Sequence, residues 1–198
     1  MRFRELTEDH RVQTPKARIV EPFTVVGKTK VLFRVEVTPE FRAKIFEEIR
    51  VAATMLRAKG VGWAADTTFE VDCLCTDYGD VAHYRYEDDK IVINDVDDGR
   101  LCYLIVHELG HRFHIQCRDA PNLDQEINRA FIGHTKDVKD SKRLFAKKDN
   151  TKSVFPNDYS MSNRFEWFAE TFAEWCHNRL DGYGHRQWFE DLIKKHNR

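Results

Sequence analysis

The sequence predicts an α+β fold in which a small mixed sheet packs against several helices. Three features predict this class: a long amphipathic segment in the first third of the chain, short strand-like segments on both sides of it, and a mainly helical second half. The chain has 198 residues, of which 41% are hydrophobic and 33% are charged. It can therefore bury the core of one domain of ordinary size, and two large independent domains are not expected.

Residues 1–38 are predicted to form an N-terminal extension that contains a β-hairpin. The segments 23–26 and 31–37 are rich in β-branched residues and flank a short stretch with a glycine, which suits a turn. After this extension the hydrophobic period changes from strand-like to helical. We therefore expect residues 39–198 to form the main domain.

The main domain is predicted to begin with a long helix and three strands. Apolar residues recur at steps of three and four from Phe41 to Leu56, as on one face of a helix. Thr38 suits the N-terminal cap of this helix, and Gly60 suits its stop. Three strand-like segments follow, at residues 68–75, 81–86 and 90–94. We expect them to form a sheet with an antiparallel edge.

Four further helices are predicted in the rest of the chain. The first covers Leu101 to about Gln116 and is apolar enough to be buried. The others cover about residues 122–132, 163–179 and 185–195. Residues 136–153 are rich in lysine and weakly periodic, so they are predicted to form a loop at the surface.

Charge and composition argue against several other classes of protein. The chain carries 32 basic and 33 acidic residues, so no long-range field would draw it onto nucleic acid. No segment suits the apolar core of a signal peptide or a bilayer span, and we therefore expect a cytoplasmic protein with no membrane partner. The five cysteines are odd in number and lack a C-x-x-C pair, which suits reduced thiols.

The sequence His107-Glu108-Leu109-Gly110-His111 within the apolar helix predicts a metal site. His107 and His111 are four residues apart, so they lie on one face of the helix and can bind a single Zn²⁺. Glu108 projects about 100° away around the helix axis, where a general base for a zinc-bound water is needed. Gly110 leaves the helix face between the histidines without a bulky side chain.

A catalytic zinc site with two histidines needs a third protein ligand. The metzincin class would require glycine and histidine at the positions of His114 and Cys117, so that class is excluded and His114 is predicted to be structural. Glu166, Glu170 and Glu174 form a stripe at four-residue spacing on a later helix. The spacing alone allows either of the first two to bind the metal while the other orients a ligand histidine.

Together these two blocks resemble the gluzincin type of zinc metallopeptidase, and within it the catalytic domain of anthrax lethal factor and its relatives. The match consists of the His107–His111 motif and of Tyr159, followed seven residues later by Glu166-Trp167-Phe168-Ala169-Glu170-Thr171-Phe172. The resemblance implies that residues 39–198 form a minimal zincin-like fold, in which a helix backs the sheet and a C-terminal helix supplies a ligand. It also implies that Glu166 is the third ligand, that Glu170 supports a ligand histidine, and that Tyr159 supports the oxyanion.

The predicted function is therefore that of a zinc-dependent endopeptidase acting on a peptide or protein substrate. Zn²⁺ lowers the pKa of its bound water to about 7, and Glu108 accepts the proton during attack on the peptide carbonyl. An extended peptide is expected to pair with the strand at residues 90–94. Two alternatives are a peptidase recruited on nucleic acid through the lysine-rich stretch 136–152, and a non-catalytic zincin-like protein with a metal-binding, structural or interaction role.

Overall fold

The protein is described here by a computed structural model. It describes residues 22–72, 81–94, 99–117, 122–140, 160, 162–181 and 183–197. Over these residues the chain forms a five-stranded mixed sheet, five α-helices and a short 3-10 helix at Gly62–Ala65. The predicted α+β class is therefore confirmed. Tyr159, Cys73 and Cys75 lie outside the described residues, as does most of the lysine-rich stretch.

The sheet contains both parallel and antiparallel neighbours. Its strands are β1 (Phe23–Val26), β2 (Thr29–Phe33), β3 (Thr68–Asp72), β4 (Ala82–Arg85) and β5 (Lys90–Asn94). They lie in the order β1-β2-β3-β5-β4, with β2, β3 and β5 parallel and with β1 and β4 antiparallel to their neighbours. The predicted antiparallel edge is therefore present, and it is β4.

This strand order corrects one expectation about the substrate. The sequence led us to expect that an extended peptide would pair with residues 90–94, which form β5. In the structure β5 lies between β3 and β4 and is hydrogen-bonded on both sides, so its main chain is already used. Strand adjacency in space is set by topology, and the order of strands along the sequence does not reveal it.

The predicted hairpin is present and belongs to the same sheet as the later strands. Gly27 adopts φ +59° in the turn, a conformation that glycine reaches without steric cost. Val31 of β2 pairs in register with Phe69 of β3, and both side chains are fully buried. The second strand ends at Phe33, earlier than expected. The division of the chain at residue 38 stays a prediction.

The helices pack against the sheet and against each other. They are α1 (Pro39–Ala58), α2 (Leu101–Cys117), α3 (Leu123–Asp140), α4 (Arg164–Cys176) and α5 (Arg186–His196). Thr38 caps α1 as predicted, because its hydroxyl accepts a hydrogen bond of 3.2 Å from the Phe41 N–H. None of the described helices combines the length and the apolar character that a bilayer crossing requires.

The third helix is longer than the sequence suggested. We expected a helix to end near residue 132 and a surface loop to begin at 136, but α3 continues to Asp140. Its interior includes Gly133, which weakens a helix by only about 1 kcal/mol. The residues from Gly133 to Asp140 are mostly polar and carry no hydrophobic period, so the sequence pattern ends before the helix does.

One hydrophobic core joins the sheet to α1, α2 and α4. Val31, Phe69 and Ile91 from adjacent strands are fully buried in it, together with apolar residues of all three helices. Helix α2 passes between the sheet and α4, with Ile105 and Phe113 fully buried. The motif residues are therefore carried by a helix that is packed on both sides.

Candidate metal centre

Two stripes of polar side chains on α2 and α4 face each other. Tyr103, His107 and His111 follow one another at four-residue steps on α2, and Glu166 and Glu170 do so on α4. The contacts run in opposite directions along the two helices, since Tyr103 meets Glu170 whereas His111 meets Glu166. Because both stripes share the helical repeat, each polar group meets a partner across the interface.

Gly110 lies at a close contact between α2 and α4. A Cβ atom at this position would lie 3.1 Å from the Ala169 Cα and 3.1 Å from the Phe172 Cβ. The sequence suggested that Gly110 clears space between the histidines. In the structure the space for its side chain is taken by the backbone and side chains of α4, so the glycine sets the distance between the two helices.

The two histidines and Glu166 bring three potential ligand atoms together. His107 Nε2 lies 3.1 Å from His111 Nε2 and 3.2 Å from Glu166 Oε2, and His111 Nε2 lies 3.4 Å from the same carboxylate oxygen. Two ligands about 2.1 Å from one ion in tetrahedral coordination lie about 3.4 Å apart. The triangle therefore has the dimensions of one face of such a tetrahedron, and these residues could hold a metal ion.

The position of Glu166 is set by the start of α4. Asn163 caps this helix, and its side-chain oxygen accepts hydrogen bonds from the N–H groups of Phe165 (2.9 Å) and Glu166 (3.1 Å). Glu166 thus lies in the first turn, where the helix dipole favours a negative charge. The cap and the dipole hold a carboxylate at the end of α4 that faces the motif.

The two glutamates occupy different sides of His107. Glu166 lies next to Nε2, whereas Glu170 Oε1 lies 3.0 Å from the other ring nitrogen, Nδ1. The second oxygen of Glu170 accepts a hydrogen bond of 2.6 Å from the Tyr103 hydroxyl. Spacing left open which glutamate would meet the metal; in this geometry Glu166 is the one that faces both histidines.

The pKa values of the site reflect this pairing of histidine with carboxylate. Burial lowers the pKa of His107, but the contacts with Glu166 and Glu170 outweigh it and raise the pKa to about 10. Burial raises the pKa of Glu166, but the two histidines hold it well below its ordinary value. The same contacts that raise the pKa of His107 would favour a divalent cation at this position, because a metal ion competes with protons for the same ligand atoms.

Glu108 projects from a neighbouring face of α2, about 100° around the helix axis from His107, and meets the edge strand β4. Its Oε2 accepts a hydrogen bond of 2.7 Å from the backbone N–H of Tyr84 in β4. The carboxyl is buried, and this burial raises its pKa in spite of the neighbouring histidines. A buried carboxylate with a raised pKa, next to potential metal ligands, suits a group that accepts and returns a proton.

The edge strand is tied to α2 by a buried arginine. Arg112 donates two hydrogen bonds of 2.8 Å to the carboxylate of Asp89, in the turn between β4 and β5, and others of 2.9 Å to the carbonyls of Trp63 and Ala64. The Tyr84 hydroxyl donates to the same carboxylate at 2.9 Å. These bonds anchor the turn, and with it the strand that meets Glu108.

Two further predicted residues have different outcomes. His114 is buried between Phe165 and Phe168, with Nε2 3.3 Å from Asp124, and burial lowers its pKa to about 4. This environment agrees with the structural role predicted for it. Tyr159 lies outside the described residues, so its role in supporting an oxyanion stays a prediction.

Sequence reasoning missed Tyr103, although a signal for it exists. Tyr103 precedes His107 by four residues and therefore lies on the same face of α2. Once the glutamate stripe is expected to face the histidines, the position one turn earlier must also face that stripe.

A comparison of the chain with protein-family models, with curated proteins and with solved structures gave no match. The resemblance to gluzincins therefore rests on the two motif blocks.

Proposed function

We propose that this chain is a zinc-dependent endopeptidase with a zincin-like fold. The observation that carries the proposal is the triangle of His107, His111 and Glu166 ligand atoms next to the buried Glu108. A metal site with three protein ligands leaves a coordination position for water or substrate, whereas a structural zinc site is normally closed by four protein ligands. The ligand set therefore supports catalysis more than a purely structural role.

The proposed division of work follows from the contacts on the two sides of α2. His107, His111 and Glu166 would hold the ion, and Glu170 would keep the imidazole of His107 in one orientation. When bound, Zn²⁺ would polarise the substrate carbonyl and lower the pKa of a bound water. As metal ligands the two histidines would be neutral imidazoles and Glu166 a carboxylate, a set that suits zinc.

Glu108 is proposed as the general base. Its carboxylate accepts the proton of the attacking water and returns it to the leaving amine. The Tyr84 N–H holds one carboxylate oxygen at 2.7 Å, so the other oxygen can meet the water. Burial raises the pKa of Glu108, which makes it a better proton acceptor than an exposed glutamate.

We propose that the substrate backbone lies along β4. The hydrogen bond of 2.9 Å from the Asn94 N–H to the Val81 carbonyl sets the register of β4 and β5. In an antiparallel pair the main-chain groups alternate, so those of Ala82 and Tyr84 point away from β5. The outward N–H of Tyr84 is held by Glu108, so an extended peptide would pair with the Tyr84 carbonyl and the main chain of Ala82 and would pass beside Glu108.

The test is the variant Glu108→Gln, which keeps the shape of the side chain and removes the basic oxygen. We expect unchanged folding and zinc content, with cleavage of a peptide library reduced at least about a hundredfold. Glu47→Gln is a matched control, because Glu47 is a surface residue of α1 with its side chain 53% exposed. An undiminished cleavage rate in Glu108→Gln rules out the assignment. A wild-type chain that binds zinc and cleaves no peptide supports the non-catalytic alternative.

A further inference from the structure

We infer that Tyr103 is a positioning residue of the metal centre, because its hydroxyl holds Glu170 in the orientation in which that carboxylate fixes His107. The inference rests on the proposed metal centre and extends it by one layer of side chains. Tyr103 and His107 stand one turn apart on α2, and Glu170 bridges them from α4. The three residues thus form one chain of polar contacts that ends at a proposed ligand.

Both oxygens of the Glu170 carboxylate are engaged in this chain. Oε1 lies 3.0 Å from His107 Nδ1, and Oε2 accepts the 2.6 Å hydrogen bond from Tyr103. Glu170 is only 6% exposed, so removing the Tyr103 hydroxyl would take a hydrogen bond from Oε2 in a buried environment, which costs free energy. Removal of the hydroxyl therefore favours rotation of the carboxylate, and Oε1 would then leave Nδ1.

The contact at Nδ1 determines what His107 offers to a metal. When Nδ1 carries the proton and faces a carboxylate, Nε2 is left with a lone pair. In this structure Nε2 is the atom that faces His111 and Glu166. An unanchored Glu170 would allow the other tautomer and a rotated ring, and both changes weaken the ligand set.

Tyr103 is a dependable donor for this purpose. Burial, followed by the neighbouring Glu170, raises the pKa of its hydroxyl far above the ordinary value. The hydroxyl therefore keeps its proton over the pH range of a folded protein. A neutral tyrosine can hold a carboxylate without adding a charge of its own to the site.

The ring of Tyr103 makes separate contacts, so the effect of the hydroxyl can be isolated. The ring packs against His177 with centroids 5.5 Å apart, and the guanidinium of Arg179 lies 6.0 Å from its centroid. The variant Tyr103→Phe keeps these packing contacts and removes only the hydroxyl. A matched control is Tyr183→Phe, since the Tyr183 ring packs against His185 rather than against Glu170.

The experiment measures metal binding by the full chain. Zn²⁺ affinity is determined by competition with a chromophoric chelator, and the ligand field is read from the visible spectrum of the Co²⁺ form. For Tyr103→Phe we expect an affinity about tenfold lower and an altered Co²⁺ spectrum, at the lower end of effects seen for groups that orient metal ligands. Tyr183→Phe should match the wild type in both measurements.

The double variant Tyr103→Phe/Glu170→Gln tests the route of the effect. If Tyr103 acts through Glu170, the second substitution removes most of the effect of the first, and the two losses of affinity are not additive. An unchanged affinity and spectrum in Tyr103→Phe, or full additivity in the double variant, overturns the inference. A wild-type chain that binds neither ion overturns the metal centre itself. Because both readouts are metal binding, the inference is decided without peptide cleavage.

Discussion

The two sides of α2 are held in different ways. On the side that faces α4, His107 and His111 meet side chains of a second helix, and the contacts join one side chain to another. On the side that faces the sheet, Glu108 accepts a bond from the main chain of Tyr84, and Arg112 donates to a carboxylate and to main-chain carbonyls. The ligand side is thus held by contacts between side chains of α2 and α4. The base side is held mainly by contacts of α2 side chains with main-chain groups.

This difference determines which contacts a single substitution can remove on each side of α2. A ligand-side contact can be removed by changing one side chain, because both partners are side chains. The Tyr84 N–H that holds Glu108 belongs to the backbone, so it responds only to changes that move β4 or its turn. We therefore expect ligand-side variants to alter metal binding and base-side variants to alter cleavage with metal binding retained.

The largest expected effect is that of Glu166→Gln on the ligand side. An amide oxygen is a weaker ligand than a carboxylate and carries no charge, so Zn²⁺ affinity should fall at least about a hundredfold. Chelator competition measures the affinity, and Glu108→Gln serves as the control because its side chain faces β4. Equal affinity in Glu166→Gln and the wild type would remove Glu166 from the ligand set.

The next largest effect is expected for Gly110→Ala, which changes the distance between α2 and α4. The added Cβ would lie 3.1 Å from atoms of Ala169 and Phe172, so α4 must shift. We expect a loss of unfolding free energy of about 1–3 kcal/mol together with weaker metal binding. Urea denaturation and zinc competition measure the two quantities.

A matched control for that substitution exists on α3. Among the described residues, and apart from its chain neighbours and the nearby backbone of α3 itself, no atom lies within 4 Å of a Cβ added at Gly133. Gly133→Ala should therefore leave metal binding unchanged and raise the unfolding free energy by about 0.5–1 kcal/mol through helix propensity. A similar loss of stability in both variants would contradict the close approach of the two helices at Gly110.

On the base side, Asp89→Asn weakens the anchor of the turn between β4 and β5. Burial raises the pKa of Asp89, but the bond from Arg112 outweighs it and lowers the pKa below its ordinary value. The Asp89 side chain is 38% exposed, so solvent screens the ion pair and we expect a loss of about 1 kcal/mol of unfolding free energy at pH 7. Metal affinity should be retained while the cleavage rate falls.

The pH dependence of this variant has a defined sign. A carboxyl with a lowered pKa in the folded state stabilises the protein above its unfolded pKa of 3.8, and this contribution is lost as the pH falls through the folded pKa. The difference in unfolding free energy between wild type and Asp89→Asn should therefore shrink below about pH 4. A difference that stays constant on acidification would show that the charge of Asp89 is not what stabilises the turn.

The smallest effect is expected for His185→Phe. This position belongs to neither the ligand side nor the base side of α2. His185 is 3% exposed, and among the described residues neither of its ring nitrogens has a hydrogen-bond partner. Burial, followed by the charge of His134, lowers its pKa to about 4. The unfolded chain therefore takes up a proton below pH 6.5 that the folded chain does not, and stability is lost as the pH falls.

His185→Phe should remove this acid sensitivity. Between about pH 7.5 and 5.5 the wild type should lose about 1 kcal/mol more unfolding free energy than the variant. Urea denaturation at the two pH values measures the difference, and Zn²⁺ affinity at the higher pH should be the same in both proteins. An identical pH dependence in the two chains would mean that the pKa of His185 is not lowered on folding.

The parts of the molecule that depend on local pattern follow from the order of the residues along the chain. The helical period located α1, α2, α4 and α5, and the same period placed His107 and His111 on one face and three glutamates on another helix. Helix stripes are local, because residues four apart are neighbours wherever the helix lies. For this reason the candidate ligands follow from the spacing of residues along the chain.

The contacts between helices and strands can be seen only in the folded chain. The tertiary structure placed β5 inside the sheet and β4 at the edge, extended α3 beyond its hydrophobic pattern, and brought Tyr103 against Glu170. It also showed that Gly110 makes room for α4 and that Glu108 meets a backbone N–H. Apart from the length of α3, each of these facts depends on contacts between residues far apart in the chain, where long-range packing adds to the local pattern.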